Sequence, residues 1–236
     1  MARTINHKER SAKRGEILDT AQLLVLSKGY ERMAIGDILE ALRISSGAFY
    51  HYFDSKPAVL EALVERIRGR SGEPLQRVVD DSKLNAIDKL QAFFSTLDAL
   101  RRAEQQTILE VMKVWYADHN AIVRQKVDVA VRAMRVPMLA NIVAQGVREG
   151  RFASHVAERT AEVLSSLIEG MGGHHAEIVL AYGVHLDERR FTHEVVEIHT
   201  AYMEAIERAL QAPENALKRI GPGDVAMWSE ALRRRN

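Results

Sequence analysis

The chain has 236 residues, with 33 lysines and arginines against 32 aspartates and glutamates, and it has no cysteine. The lack of cysteine excludes a disulfide framework, thiol catalysis and cysteine-based zinc sites. The formal net charge of +1 would not by itself indicate a nucleic-acid partner. No apolar run reaches the roughly 18 residues that a membrane span needs, and the start MARTINHKER lacks the apolar core of a signal peptide. A cytoplasmic protein without a membrane partner is therefore predicted.

The first fourteen residues form a basic arm. It holds five cations against the single carboxylate of Glu9: Arg3, Lys8, Arg10, Lys13 and Arg14. Such an arm can follow a phosphate backbone or enter a minor groove, and the alternative is a solvated terminus. Because the pattern that follows favours DNA, Lys8, Lys13 and Arg14 are predicted DNA contacts.

Residues 9–44 have the periodicity of two helices joined by a turn. Apolar side chains recur at helical spacing in residues 9–28: Ile17, Leu18, Ala21, Leu24 and Val25. Gly29 ends this helix as a C′ glycine does. A second helix is predicted for residues 35–42, and Arg43 and Ile44 form the turn after it.

Residues 45–60, SSGAFYHYFDSKPAVL, predict a short third helix suited to the major groove. Ser45 can cap its first turn, and Lys56, after a short connection, can place its ammonium on a phosphate. Pro57 suits the first position of the next helix, where its missing N–H costs nothing. The predicted DNA contacts here are small or carry polar groups: Ser45, Ser46, Gly47, Ala48, Tyr50, His51, Tyr52 and Lys56.

This arrangement resembles the amino-terminal domain of the tetracycline-repressor (TetR) family of bacterial transcription regulators. The resemblance rests on residues in the order and spacing of that family: Gly29, Tyr30, Ile38, Ser45, Gly47, residues 49–53, Ser55, Lys56, Val59 and Leu60. It implies an all-α protein with an N-terminal three-helix helix-turn-helix DNA-binding domain and a C-terminal helical ligand-binding and dimerisation domain. Two positions depart from the family pattern, Ala34 in place of a capping threonine and Arg43 in place of a turn glycine.

The rest of the chain is predicted to be a succession of helices. We expect a DNA-binding domain at 1–56, a connecting helix at 57–70 that ends at the Ser-Gly-Glu-Pro sequence 71–74, an effector-binding and dimerisation domain at 71–212, and a tail at 213–236. Later helices are predicted at 86–101, 104–117, 119–148, 155–181 and 191–211. Pro137 should kink or break the third of these. The helix-like stretch 224–235 could pack on the body or stay exposed.

A group of large apolar side chains predicts an effector pocket in the second domain. Flexible apolar side chains line such pockets, and the resemblance implies an effector in this region. The alternative is that these residues form a plain core. The predicted ligand-binding residues are Phe93, Phe94, Leu97, Met112, Trp115, Tyr116, Met134, Met138 and Met171.

Glycines in the middle of the predicted helix 155–181 indicate close approach of another helix. Each costs about 1 kcal/mol relative to alanine in a helix interior, so a close contact should offset that cost. The last long helix offers a stripe at matching spacing, and the resemblance implies that two such helices per subunit form the dimer interface. The predicted dimerisation residues are Gly170, Gly173, Ile178, His199, Tyr202 and Ile206.

Histidines 174, 175 and 199 raise a metal-sensing alternative, which the lack of an i, i+4 histidine pair disfavours; no metal or cofactor is predicted. Phosphate-loop, nucleophile-elbow and H-E-x-x-H motifs are missing, so no enzyme is predicted.

The prediction is a homodimeric DNA-binding regulator, a repressor released from a palindromic double-stranded operator by a small apolar effector. The alternative is a DNA-binding regulator without an effector.

Overall fold

The computed structural model describes residues 2–103, 105–153, 156–182 and 187–234, with side chains except at residues 2–8, 106, 107, 110, 111 and 113. This part of the chain is helical and contains no strand, which confirms the all-α prediction. Its α-helices are α1 Ala2–Lys28, α2 Ile35–Leu42, α3 Ser46–Tyr50, α4 Lys56–Asp80, α5 Ala86–Ala103, α6 Gln105–Trp115, α7 Ala121–Arg148, α8 Ala157–Tyr182, α9 Glu188–Leu210 and α10 Pro222–Arg233. None of these helices is both long and apolar enough to cross a membrane.

The chain divides into two compact units. The first contains Met1–Gly69 and Lys113–Ala130, and the second contains Arg70–Met112 and Val131–Asn236. Helices α4, α6 and α7 each pass from one unit into the other along the chain.

The first unit has a small core built on one face of α1. Ile17 and Ala21 are completely buried, as is Ile38 of α2, so the periodicity of both helices predicted their inner faces correctly. Gly29 follows α1 with φ +82°, a conformation that favours glycine. A Cβ at this position would also lie 2.7 Å from the ring of His119. Glycine is therefore required at residue 29 for two separate reasons.

Helix α4 is longer than the sequence predicted. The prediction that residues 71–74 interrupt it is wrong, because the helix continues through Pro74 to Asp80. Leu75 and Val79, beyond the proline, are buried in the core of the second unit. Their burial offsets the backbone hydrogen bond that the proline removes.

The second unit has a core drawn from α4, α5, α7, α8 and α9. Its completely or almost completely buried side chains include Leu75, Leu90, Phe93, Leu139, Ile142, Leu164, Ile168 and Ile206. Helix α7 runs through Pro137 without a break. A single 3-10 turn at Asp118–Asn120 precedes it, where the sequence predicted the start of the α-helix.

The C-terminal stretch packs on the body of the second unit. Val225 and Leu232 of α10 are buried in one apolar cluster with Phe191 and Val195 of α9. The Ser229 hydroxyl is completely buried and donates to Glu188 at 2.9 Å. Of the two possibilities that the sequence left open for the tail, the structure shows the packed one.

Candidate functional site

The short helix α3 begins at a serine cap. Ser45 has the extended conformation of an N-cap residue, and its Oγ accepts a hydrogen bond from Ala48 N at 3.2 Å. The cap satisfies one of the backbone N–H groups that a helix start leaves free. This geometry confirms the capping role that the sequence predicted for Ser45.

Two buried phenylalanines fix the orientation of α3. Phe49 is completely buried and Phe53 nearly so, with ring centroids 6.0 Å apart. Tyr50 lies next to Phe49 in sequence and is 50% exposed, and His51 at the helix end is exposed as well. A helix held by its inner aromatics therefore presents Tyr50 and His51 outwards, as a helix that enters a groove must do.

The other predicted contacts on α3 differ in exposure. Ser45, Ser46 and Gly47 are exposed, whereas Ala48 and Tyr52 are half-buried. The exposed end of the helix thus carries only small side chains. A narrow end of this kind can approach base edges without a steric clash.

The start of α2 replaces the missing threonine cap with a carboxylate. Ala34 has an extended N-cap conformation without a side-chain acceptor, and its own N–H donates to Asp37 Oδ2 at 2.6 Å. Lys28 forms an ion pair with the same carboxylate at 2.6 Å. The hydrogen bond from Lys28, followed by the one from Ala34, lowers the pKa of Asp37. Asp37 therefore satisfies the backbone N–H of the cap residue and keeps a negative charge at the helix start.

The turn between α2 and α3 contains a residue in the left-handed region. Arg43 has φ 52° and ψ 44°, and its N–H donates to Glu40 O. Ile44 N donates to Leu39 O at 3.1 Å. The arginine thus adopts the conformation in which the family pattern has glycine, at a cost in backbone strain.

A cleft of about 620 Å³ lies between the basic arm and the end of α3. Glu9, Arg10, Lys13, His51 and Tyr52 line it. Arg10 donates to the His51 carbonyl at 3.4 Å, so a hydrogen bond joins the basic arm to the end of α3. The cleft places two cations beside His51, which suits a phosphate close to the groove that α3 would enter.

Sequence reasoning noted Arg10 as part of the basic arm but did not include it among the site residues. Its spacing of three from Lys13 would have placed both on one side of α1. Lys13 forms an ion pair with Glu16 at 2.7 Å, and the Arg14 guanidinium lies 4.8 Å from the Phe53 ring centroid. The side chain of Lys8 lies outside the described residues.

Lys56 is the first residue of α4 and is held by the loop after α1. Its ammonium donates to the Glu31 carbonyl at 3.1 Å and lies 4.4 Å from the ring centroid of Tyr30. These contacts give Lys56 a structural role besides the predicted phosphate contact.

The sequence of this domain matches a known family. The family model described as bacterial regulatory proteins, tetR family, matches residues 17–63, which contain α2, α3 and the turn between them. Residues 17–63 are thus similar to the amino-terminal domain of the TetR family.

Two curated relatives of moderate similarity are named as transcriptional repressors. It is 30% identical over 81 residues to the HTH-type transcriptional repressor NemR of Escherichia coli, a match that covers 34% of this chain and 41% of NemR. It is 24% identical over 148 residues to the HTH-type transcriptional repressor KstR2 of Mycobacterium tuberculosis, covering 60% of this chain and 70% of KstR2. The match to NemR thus spans about two fifths of that relative's length.

A solved structure shares the fold of most of the chain. The SmeT–triclosan complex has a TM-score of 0.61 and 18% identity, and the match covers 88% of this chain and 95% of that one. At this identity the likeness shows the fold alone.

The residues predicted to bind an effector fall into two groups. Six of them belong to the main apolar core of the second unit or pack against it: Phe93, Phe94, Leu97, Met134, Met138 and Met171. Met112 packs against the other apolar cluster, which contains Phe191. The interior of the second unit therefore holds most of the predicted set, with the close packing of a core.

Trp115 and Tyr116 belong to the first unit, unlike the rest of the predicted effector set. The carbonyl of Trp115 accepts from Arg124 at 2.7 Å, and the Tyr116 ring lies 5.5 Å from the Arg124 guanidinium. The expectation that these two residues share one compact unit with Phe93 and Phe94 is corrected by this division.

Helices α8 and α9 pack against each other within the chain. A Cβ at Gly170 would lie 2.7 Å from Tyr202 Oη, so the tyrosine hydroxyl of α9 packs directly against this glycine. A Cβ at Gly173 would meet no atom within 4 Å. Ile178 and Tyr202 are half-buried. Packing inside the chain therefore explains Gly170 but not Gly173.

His199 and Ile206 face the interior of the chain. Ile206 is completely buried and His199 is 5% exposed. Their side chains have almost no surface to offer a second copy of the chain. We correct the expectation that these two residues form part of a dimer interface.

The histidines of α8 and α9 are close together in an arrangement that does not suit a metal ion. The rings of His175 and His199 are stacked, with centroids 5.8 Å apart and planes 4° apart. The nitrogen lone pairs lie in the ring planes, so stacked rings do not direct them at a common point. His174 instead bonds Tyr202 Oη at 2.9 Å. Among the described residues, no three histidines or carboxylates are grouped to hold a metal.

Proposed function

We propose that the chain is a homodimeric DNA-binding transcription regulator, a repressor that leaves a palindromic operator when a small apolar molecule binds. The observation that carries the DNA-binding part is α3, capped by Ser45, anchored by Phe49 and exposing Tyr50 and His51. The names of NemR and KstR2, both transcriptional repressors, support the direction of regulation.

The test of base reading begins with an operator selected from a random duplex pool. Tyr50→Ala and His51→Ala should weaken binding to that operator more than binding to random DNA, since base contacts carry the specificity. Arg10→Ala should weaken both alike and flatten the dependence of affinity on salt by about one unit, because it removes one phosphate contact.

Arg159→Ala is the matched control, because Arg159 is an exposed arginine of the second unit. It should change neither the affinity nor the salt slope. Equal losses on both DNAs for Tyr50→Ala and His51→Ala would contradict the assignment of α3 as the reading helix.

The proposed dimer supplies the twofold symmetry that a palindrome requires. Gly173 supports it, because a Cβ at that position would meet no atom of the described residues within 4 Å. Gly173→Leu should therefore give monomers with little operator affinity, since a single DNA-binding domain lacks the avidity of two linked ones. Sedimentation measures the association state. A dimeric Gly173→Leu variant with normal affinity would refute this interface.

The effector-responsive part follows the family's two-domain arrangement, with DNA binding at 1–56 and effector binding and dimerisation at 71–212. For release, the ligand must bind more tightly to a second state of the dimer. In that state the two α3 helices no longer have the spacing of about 34–36 Å that successive major grooves require. If a compound lowers the affinity of the protein for its operator, the operator must lower the affinity of the protein for that compound by the same factor. A chain whose ligands all leave operator affinity unchanged would instead be the effector-free regulator.

A further inference from the structure

A cavity of about 290 Å³ opens inside the second unit, between α5, α9 and the segment that leads into α10. Of the residues predicted to bind an effector, Phe94 lines it. The cavity therefore differs in composition from the apolar pocket that the sequence predicted. Its volume lies at the lower end of the range for ligand pockets, about 300–1,000 Å³.

One side of the cavity is apolar and belongs to the core. Phe94 is 6% exposed and Met203 is 1% exposed, and both line the cavity. Half-buried Ile220 lines it from the segment before α10. An aromatic ring and a methionine are suitable contacts for the hydrocarbon part of a small molecule.

A buried histidine supplies unused hydrogen-bonding capacity in this cavity. His199 lines it and is 5% exposed, and the described residues offer its ring nitrogens no hydrogen bond. Its ring lies parallel to the ring of His175, with centroids 5.8 Å apart. Buried polar groups nearly always have partners, so this ring is suited to donate to a ligand atom in the cavity.

The two carboxylates in the lining are engaged by groups of the protein. Asp98 accepts from Arg101 at 3.1 Å. Asp224 accepts from Gly221 N at 2.9 Å and lies 3.8 Å from Arg102. Their charges are therefore partly compensated before any ligand binds.

The cations in the lining are compensated less completely. Arg219 is held by two hydrogen bonds to Glu207, at 3.0 and 2.7 Å. Arg102 has only the distant pair with Asp224, and the ammonium of Lys218 has no partner among the described residues. Lys218 and Arg102 thus leave positive charge at the cavity that the protein does not neutralise.

We propose that this cavity binds a small organic anion, a compound with an apolar body and one carboxylate. The body lies against Phe94 and Met203, and the carboxylate accepts from His199 and pairs with Lys218 and Arg102. Hydrogen bonds between a charged and a neutral group are stronger than neutral ones, so a carboxylate is favoured over an uncharged polar group. This inference concerns only the binding of the anion to the cavity. It does not depend on the release of DNA, so a binding measurement alone tests it.

Benzoate is the probe and benzamide its matched neutral counterpart, since both have the same ring. Calorimetry with the full chain should show benzoate binding at least about fivefold more tightly than benzamide, with added salt weakening benzoate alone. Lys218→Gln should weaken benzoate about two- to fivefold, as expected for an exposed ion pair. Lys83→Gln is the control, because Lys83 is an exposed lysine of the same unit away from this lining.

A second measurement reports on the buried histidine. Benzoate should shift the His199 ring signal in the NMR spectrum, identified by its loss in His199→Gln, and benzamide should shift it less. Equal affinity for the two probes, no effect of Lys218→Gln beyond that of Lys83→Gln, or an unmoved His199 signal at saturating benzoate would each overturn the proposal.

Discussion

A buried carboxylate on α9 should control the stability of the segment that leads to α10. Glu207 is 5% exposed. Its carboxylate accepts two hydrogen bonds from Arg219 and a third from Leu217 N at 2.8 Å. Burial alone would raise the pKa of Glu207, but the hydrogen bonds from Arg219 and Leu217 outweigh it and lower the pKa.

The substitution Glu207→Gln removes the charge while it keeps the size. Hydrogen bonds to charged groups contribute about 1.5–3 kcal/mol each, and breaking a buried pair costs about 3–5 kcal/mol. Arg219 keeps 20% side-chain exposure and can regain water, so we expect a loss of about 2–3 kcal/mol. For a protein of this size, about 2–4 °C per kcal/mol corresponds to a Tm lowered by roughly 4–12 °C.

The assay is thermal and urea unfolding, followed by the fluorescence of Trp228 in a Trp115→Phe background. Trp228 belongs to α10 and packs against the apolar cluster that contains Phe191. Glu204→Gln is the control, because its pair with Arg208 is exposed and should contribute less than about 1 kcal/mol. The double variant Glu207→Gln with Arg219→Met should recover most of the loss, since no unpaired charge stays buried and the glutamine oxygen still accepts from Leu217 N.

The pH dependence gives an independent check on Glu207. Its folded pKa is lowered, so its contribution is present near neutral pH and is lost as the pH falls toward that lowered value. Glu207→Gln should therefore lose less stability on acidification than the unsubstituted protein. The reasoning would be refuted if the free energy of unfolding of Glu207→Gln lay within about 0.5 kcal/mol of that of the unsubstituted protein. It would also be refuted if the double variant were as unstable as the single one.

Three further outcomes are expected. Ala34→Thr should raise the free energy of unfolding by about 1 kcal/mol, because residue 34 has N-cap geometry without an acceptor; no gain in urea unfolding would mean that Asp37 already fills this role. Arg43→Gly should add about 0.5–1 kcal/mol by relieving its left-handed conformation, and a loss would show that the arginine side chain supports the turn. Burial, then Arg101, lowers the pKa of His175 from 6.5 to about 3, so stability should fall as the pH drops through this range; His175→Phe should flatten that fall, whereas exposed His193→Phe should not.

The sequence predicted helices α1 to α3 in detail because their determinants are local. The Ser45 cap joins residues three apart, and Gly29 ends α1 through its own backbone angle. The inner face of α1 follows from the spacing of Ile17 and Ala21. Such features lie within one or two helical turns, so the pattern of a short segment shows them directly.

The organic-anion cavity could not be predicted in the same way. It depends on Phe94, His199 and Lys218 meeting from three distant parts of the chain. Their side chains carry no spacing that distinguishes a cavity from a core or a surface. Local patterns likewise did not show that α4 continues past Pro74, because the burial of Leu75 in another element's core decides it.

Side-chain contacts between distant parts of the chain show how the C-terminal segment, residues 213–236, is attached to the second unit. Glu207 fixes Arg219, and Glu188 at the start of α9 accepts from Ser229. Polar pairs therefore attach the segment at both ends of α9, and Val225 adds apolar contact in between. A segment attached in this way, which also supplies Lys218 to a cavity, is better treated as part of the second domain than as a tail. Deleting residues 213–236 should thus expose Phe191 and open the cavity, and a truncated chain that keeps both benzoate binding and the Tm of the full chain would contradict this view.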